Sequence, residues 1–224
     1  MNSLLLLKLF LAPLFVALVS FIQKRWGDGI GGRLIGLPLT TGPFVYIIYI
    51  QEGASFAGKA AQGVLVGQVS LVIFAWVYSA CALRMKWAQA LSIGTLACIS
   101  SGALLTSFSI PLQILLPILI GTWILATKFW PKFENPPRTS NAPRWELPTR
   151  LIVTVLLILF LTGFASLLGP RVAGALSTYP VITSVLGAFN QRRFGPGATV
   201  ATLQGMIQTL PLTIIIMSAL TIIF

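Results

Sequence analysis

Runs such as Leu4 to Leu7 and Leu151 to Leu161 are apolar on every face of any helix they form, and similar runs recur along almost the whole chain. No other feature limits the fold as strongly. A soluble domain usually carries about 25% charged residues. Here 56% of the 224 residues are hydrophobic and 8% are charged, which excludes a soluble globule. A bilayer instead demands helices of roughly 20 apolar residues, and a transmembrane β-barrel would alternate polar and apolar positions over segments of about ten. The sequence therefore predicts an all-α polytopic membrane protein.

Apolar runs set against helix breakers give eight transmembrane helices, over residues 3–23, 29–50, 57–82, 88–107, 109–127, 150–168, 171–190 and 198–223. Between the fifth and sixth, residues 129–149 carry Pro131, Pro136, Pro137, Pro143 and Pro148 among mixed charges, which predicts a polar, Pro-rich linker without helix. The chain thus divides into 1–128, the linker 129–149, and 150–224. The apolar stretch from Met1 to Ile22 is read as a retained first helix. Lys24 and Arg25 follow it, and no A-x-A cleavage site precedes them.

Fifteen Lys and Arg against four Asp and Glu give a net charge of +11, which in a soluble protein would raise the question of nucleic acid. In a membrane protein the same excess reports topology, because basic residues gather in cytoplasmic loops. Alternate loops hold Lys24, Arg25, Arg33, Arg84, Lys86, Lys128, Lys132, Arg138, Arg144, Arg150, Arg192 and Arg193. The N-terminal segment and the remaining loops hold Lys8, Lys59 and Arg171. This split of twelve to three predicts a cytoplasmic linker, a cytoplasmic Arg192-Arg193 turn and both termini outside, with Trp26, Trp87, Trp130 and Trp145 as interfacial aromatics.

Catalytic equipment is sparse. Histidine is absent, Cys81 and Cys98 lack CxxC spacing, and the four acids Asp28, Glu52, Glu134 and Glu146 all fall near loops. The expectation is a protein that is not an enzyme and uses neither metal nor cofactor.

The chain also matches itself at a shift of 142 residues: Gly27 with Gly169, Gly32 with Gly174, Leu34 with Leu176, Pro38 with Pro180, Thr41 with Thr183, Gly53 with Gly195, Gln62 with Gln204 and Gly63 with Gly205. Lys8 falls opposite Arg150. Apolar composition alone does not bring glycines, a proline and a glutamine into register. The repeated unit is three spans, one to three and six to eight, separated by an odd number of spans, so the second unit is inverted. Charge placement agrees, since the basic turn follows the first span of one unit (Lys24, Arg25) and the second span of the other (Arg192, Arg193). Inverted repeats are typical of secondary transporters.

Two breaks carry the functional expectation. Gly36 to Pro43 interrupts the second span and Ser177 to Ser184 the seventh at the matched place, so both helices should be broken there. Non-helical backbone at membrane depth survives only inside protein or lining a cavity, and paired interruptions point to a midplane binding site. The candidate substrate-binding residues are Pro38, Thr40, Thr41 and Gly42 in the first break, and Tyr179, Pro180, Thr183 and Ser184 in the second. Gln62 and Gln204 join them as amides that either contact substrate or bind helices together.

The Gly-x-Pro break of Gly36 to Leu39, the apolar helix through Tyr46 and Tyr49, the Gln51-Glu52-Gly53 turn and the glycine-bearing helix from Ala57 to Gly67 together resemble the GlpM-like family of small bacterial inner-membrane proteins. The resemblance covers about residues 20–75, with an echo at 162–217, in a chain about twice as long; Ser177 to Pro180 lacks the first glycine. It implies a bacterial envelope setting linked to exopolysaccharide (alginate) production. The function expected from the residues is a small inverted-repeat transporter or flippase for an anionic or amphipathic solute. The alternative is a non-transporting membrane subunit that organises an envelope biosynthetic complex. Partners on the first reading are membrane lipids and the solute, with no nucleic acid; a homo-oligomer is compatible with it.

Overall fold

The structure is a computed structural model that describes residues 3–134, 143, 145–167 and 179–224. The side chain of Lys8 and the repeat partners Gly169, Gly174, Leu176 and Ser177 lie outside the described residues. Those residues form helices and no strand: α1 (Ser3–Trp26), α2 (Asp28–Gly36), α3 (Thr41–Glu52), α4 (Ala54–Ala82), α5 (Trp87–Thr106), α6 (Leu112–Lys128), α7 (Glu146–Leu167), α8 (Val181–Phe194) and α9 (Pro196–Ile223). Six helical stretches are long and apolar enough to cross a bilayer, α2 and α3 together counting as one, and α6 is slightly shorter at 17 residues. Large apolar side chains such as Phe10, Leu96, Leu104, Ile152, Leu156 and Ile215 point outward, as in a membrane-embedded protein.

The expected break in the second span is present. Leu37 takes an extended backbone conformation ahead of Pro38, as a residue before proline prefers, and α3 restarts at Thr41 with Pro43 in its first turn, where no intrahelical amide is lost. In the seventh span α8 begins directly after Pro180, and residues 168–178, on which the rest of that expected break falls, lie outside the described residues. In contrast, α7 starts at Glu146, inside the stretch read as a linker without helix. Pro148 then falls in the first turn of α7, a position that tolerates proline.

Three single-glycine links of one backbone conformation join consecutive helices, the first being Gly27 between α1 and α2 at φ 93°, ψ 168°. Gly53 joins α3 to α4 at φ 83°, ψ 178°, and Gly195 joins α8 to α9 at φ 87°, ψ 176°, a conformation that costs a residue with a Cβ dearly. Helices α4 and α9 make the centre of the core through Leu65, Phe74, Tyr78, Leu203, Met206 and Leu210. Helix α2 lies with its backbone almost on that of α9. A Cβ on Gly32 would stand 2.0 Å from the Thr202 carbonyl oxygen, and one on Gly205 would stand 2.1 Å from that of Gly29.

The turns sort into two ends. At one, Gln191 Nε2 on α8 donates to the carbonyls of Ala82 (3.1 Å) and Met85 (3.0 Å) in the α4–α5 turn, and Arg193 pairs with Glu146. At the other, Gln62 Nε2 donates to the Ile110 carbonyl at 2.9 Å in the α5–α6 turn, and Tyr49 stacks on Phe224 with ring centroids 4.8 Å apart.

A candidate site in a membrane cavity between the broken helices

A cavity of about 840 Å³ lies where the two breaks meet, a volume typical of small-ligand pockets. Its described walls come from the middle of α1, the end of α2, the start of α3, the first half of α4, α7 around Leu161, the start of α8 and the middle of α9. The lining is mainly aliphatic and aromatic, and none of its described residues is an Asp, Glu, Lys or Arg. Polar groups are few: Thr40, Thr41, Gln68, Thr106, Thr162, Tyr179, Thr183 and Thr213.

Of the residues singled out from sequence, Thr40, Thr41, Tyr179, Pro180 and Thr183 line this cavity together. Pro38 and Gly42 lie in the same break without lining it, and Ser184 is buried one residue beyond Thr183. The two glutamines sit elsewhere. Gln62 spends its amide N–H on the Ile110 carbonyl, an interhelical tie, and half-buried Gln204 is not part of the lining.

The break leaves carbonyls at the end of α2 without helical donors, and α9 supplies them. Thr209 Oγ1 donates to the Arg33 carbonyl at 2.7 Å and Thr213 Oγ1 to the Gly36 carbonyl at 2.6 Å. Tyr179 is held through its hydroxyl, 3.0 Å from Thr95 Oγ1, and its ring packs edge-on to Phe74. Other groups stay open. Among the described residues Thr41 Oγ1 and Gln68 Oε1 are buried without a hydrogen-bond partner, and none caps the start of α8 with its side chain.

A second constellation was not visible in the sequence. Arg150, 3% exposed, donates to Glu146 Oε1 (2.5 Å), Asn190 Oδ1 (3.2 Å) and Ser20 Oγ (3.1 Å), and its guanidinium lies 5.3 Å from the centre of the Phe189 ring. Glu146 Oε2 also pairs with Arg193 at 2.7 Å. Asn190 Nδ2 donates to Asp28 Oδ1 (3.3 Å) and to Thr202 Oγ1 (3.0 Å), which accepts from Gln23 Nε2 as well (2.9 Å). The cluster ties α1, α2, α7, α8 and α9 together on the same helices that line the cavity and abuts it, Ser20 following the lining residue Val19 and Thr202 standing one turn before the lining residue Met206.

No family model matches the chain, nor does any curated protein or solved structure.

Proposed function

We propose that the protein is a small inverted-repeat transporter or flippase that carries an amphipathic solute through the cavity between its broken helices. The observation that carries this reading is the pairing in the cavity wall. Residues 142 apart recur in it as Leu37 and Tyr179, Thr41 and Thr183, Val64 and Met206, Gln68 and Leu210, and Leu71 and Thr213, as expected for a site on the axis between two related units.

Contacts remote from the cavity follow the same register. Tyr49 meets Phe224 and Gln191 meets Ala82; adding 142 to Tyr49 and subtracting it from Phe224 turns the first pair into the second. These two contacts lie at opposite ends of the molecule, and so do the matched reversals at Gly53 and Gly195, which supports inversion. The eight-span topology then sets the Arg150 cluster at the cytoplasmic face of a bacterial inner membrane, beside the basic turns, and both termini outside. The kinship with GlpM-like proteins is part of this proposal, resting on the segments from Gly36 to Gly67.

Alternating access needs one end closed while the other admits solute, and a cavity bordered on one side by the polar cluster is compatible with that form. A wall whose described residues are all uncharged disfavours small inorganic anions, because burying an ion without a partner is costly, so the amphipathic class is preferred. A scaffolding subunit would need no such cavity.

The test is translocation of fluorescent short-chain amphiphiles in proteoliposomes. Thr41→Val and Thr183→Val remove hydroxyls at nearly constant volume and should slow translocation at unchanged folded yield, whereas Ser92→Ala and Ser100→Ala on α5 should do little. No translocation by the unmodified protein with any amphiphile would return the scaffold reading. Reporters fused after Asn141 and Gly195 should read cytoplasmic, and one after Phe224 external.

A further inference from the structure

Gln68 occupies the middle of the 29-residue α4 and is 5% exposed, yet its Oε1 has no hydrogen-bond partner among the described residues while the residue lines the cavity. A buried amide in hydrocarbon is expensive and normally marks a functional position. The repeat sharpens the point, because its counterpart Leu210 also lines the cavity and is apolar. The amide is therefore not required by the architecture of the wall.

Two further features belong to residues that line the same space. Thr41 Oγ1 is buried and has no hydrogen-bond partner among the described residues. At the start of α8 the amides of Val181 and Ser184 are used by turn bonds, while those of Ile182 and Thr183, both lining residues, have no partner among the described residues. The cavity thus offers an acceptor at Gln68, donors at an uncapped helix N-terminus, and a hydroxyl that does either. A ligand hydroxyl, which donates and accepts at once, matches this set. A carboxylate or phosphate would satisfy the donors but leave Gln68 Oε1 unpaired and its own charge without a cation among the described lining residues.

We propose that the cavity binds an uncharged, hydroxyl-bearing amphiphile, with its hydroxyl head held by the Gln68 amide and the Thr41 hydroxyl and its hydrocarbon chain between Phe44, Leu71, Met206 and Leu210. This proposal rests on the cavity being the solute site but does not need the solute to be translocated. Chain burial supplies most of the affinity, and the head group selects by hydrogen bonds worth about 1 kcal/mol each, or roughly fivefold apiece.

The experiment uses the full chain in phosphatidylcholine nanodiscs with three photoactivatable probes of equal chain length, each carrying a diazirine near the chain end: a monoacylglycerol, a fatty acid and an alkane. Labelled peptides are mapped by mass spectrometry. The monoacylglycerol should label α4 and α9 at the cavity at least fivefold more than the other two. Excess unlabelled monoacylglycerol should compete and free glycerol should not, which separates a lipid from a soluble polyol. Gln68→Leu should bring monoacylglycerol labelling down to the alkane level, and Gln62→Leu, outside the cavity, should leave the preference intact. Equal labelling by all three probes, labelling confined to lipid-facing peptides, or preference for the fatty acid each overturns the proposal, and none of these comparisons depends on a variant folding. A failed translocation assay with the head-group preference preserved would reject the carrier and keep the ligand class.

Discussion

Asn190 and Thr202 stand at the centre of the polar cluster; the residues 142 positions earlier, Ile48 and Ala60, line the cavity. On the proposed repeat, the same two sites thus close one end with hydrogen bonds and leave the other apolar. A polar lock is directional and releases only when several partners separate together, whereas an apolar mouth can close by contact alone. The contrast teaches that asymmetry in function is written by a handful of side chains on a backbone whose glycine links at Gly53 and Gly195 are nearly identical.

The comparison can be broken most forcefully at Glu146. Its carboxylate faces two arginines, and Glu146→Leu leaves the buried Arg150 guanidinium without its anionic partner there. Loss of one member of a buried pair costs about 3–5 kcal/mol. Reversible unfolding in mixed micelles should register that loss, and a change below about 1 kcal/mol would mean that the lock carries little.

Next comes Asn190→Ile, which gives the locked end the residue found at Ile48. Arg150, Asp28 and Thr202 each lose a hydrogen bond, and a destabilisation of about 1–3 kcal/mol is expected. The more telling readout is access. A cysteine introduced at Thr199, fully buried against the Gly187 carbonyl, should become reactive toward a water-soluble maleimide in the Asn190→Ile background; unchanged protection would show that the lock is not what seals this end.

The smallest effect belongs to the mouth. Ile48→Val removes one methylene from a residue at the cavity edge and should cost about 0.5–1.5 kcal/mol. A cost as large as that of Asn190→Ile would erase the distinction between a packed wall and a bonded one.

How much of this was legible depends on what each feature needs. The break at Pro38 follows from local backbone chemistry, and helix resumes at Thr41 accordingly, while at Pro180 the described residues show the helix start at Val181. The start of α7 inside the supposed linker was missed because Pro148 was counted as a breaker, although a first-turn proline is harmless. The lock was invisible because Gln23 and Thr202, bonded at 2.9 Å, lie 179 positions apart, and Arg150 read simply as one of the basic loop residues. Gln68 escaped for the opposite reason. Attention to the repeat favoured Gln62, which has a twin at Gln204, whereas the amide in the cavity has Leu210 opposite it.

The cavity of about 840 Å³ has a further consequence, in mechanics rather than chemistry. Pressure favours whichever arrangement of a protein encloses less void. A conformer that closes around this space occupies less total volume than the open one, and hydrostatic compression should shift the balance toward it even when no solute is present. Filling the space with a bulky side chain, as in Leu71→Trp, should remove most of that sensitivity, making the protein stiff where it is now compressible.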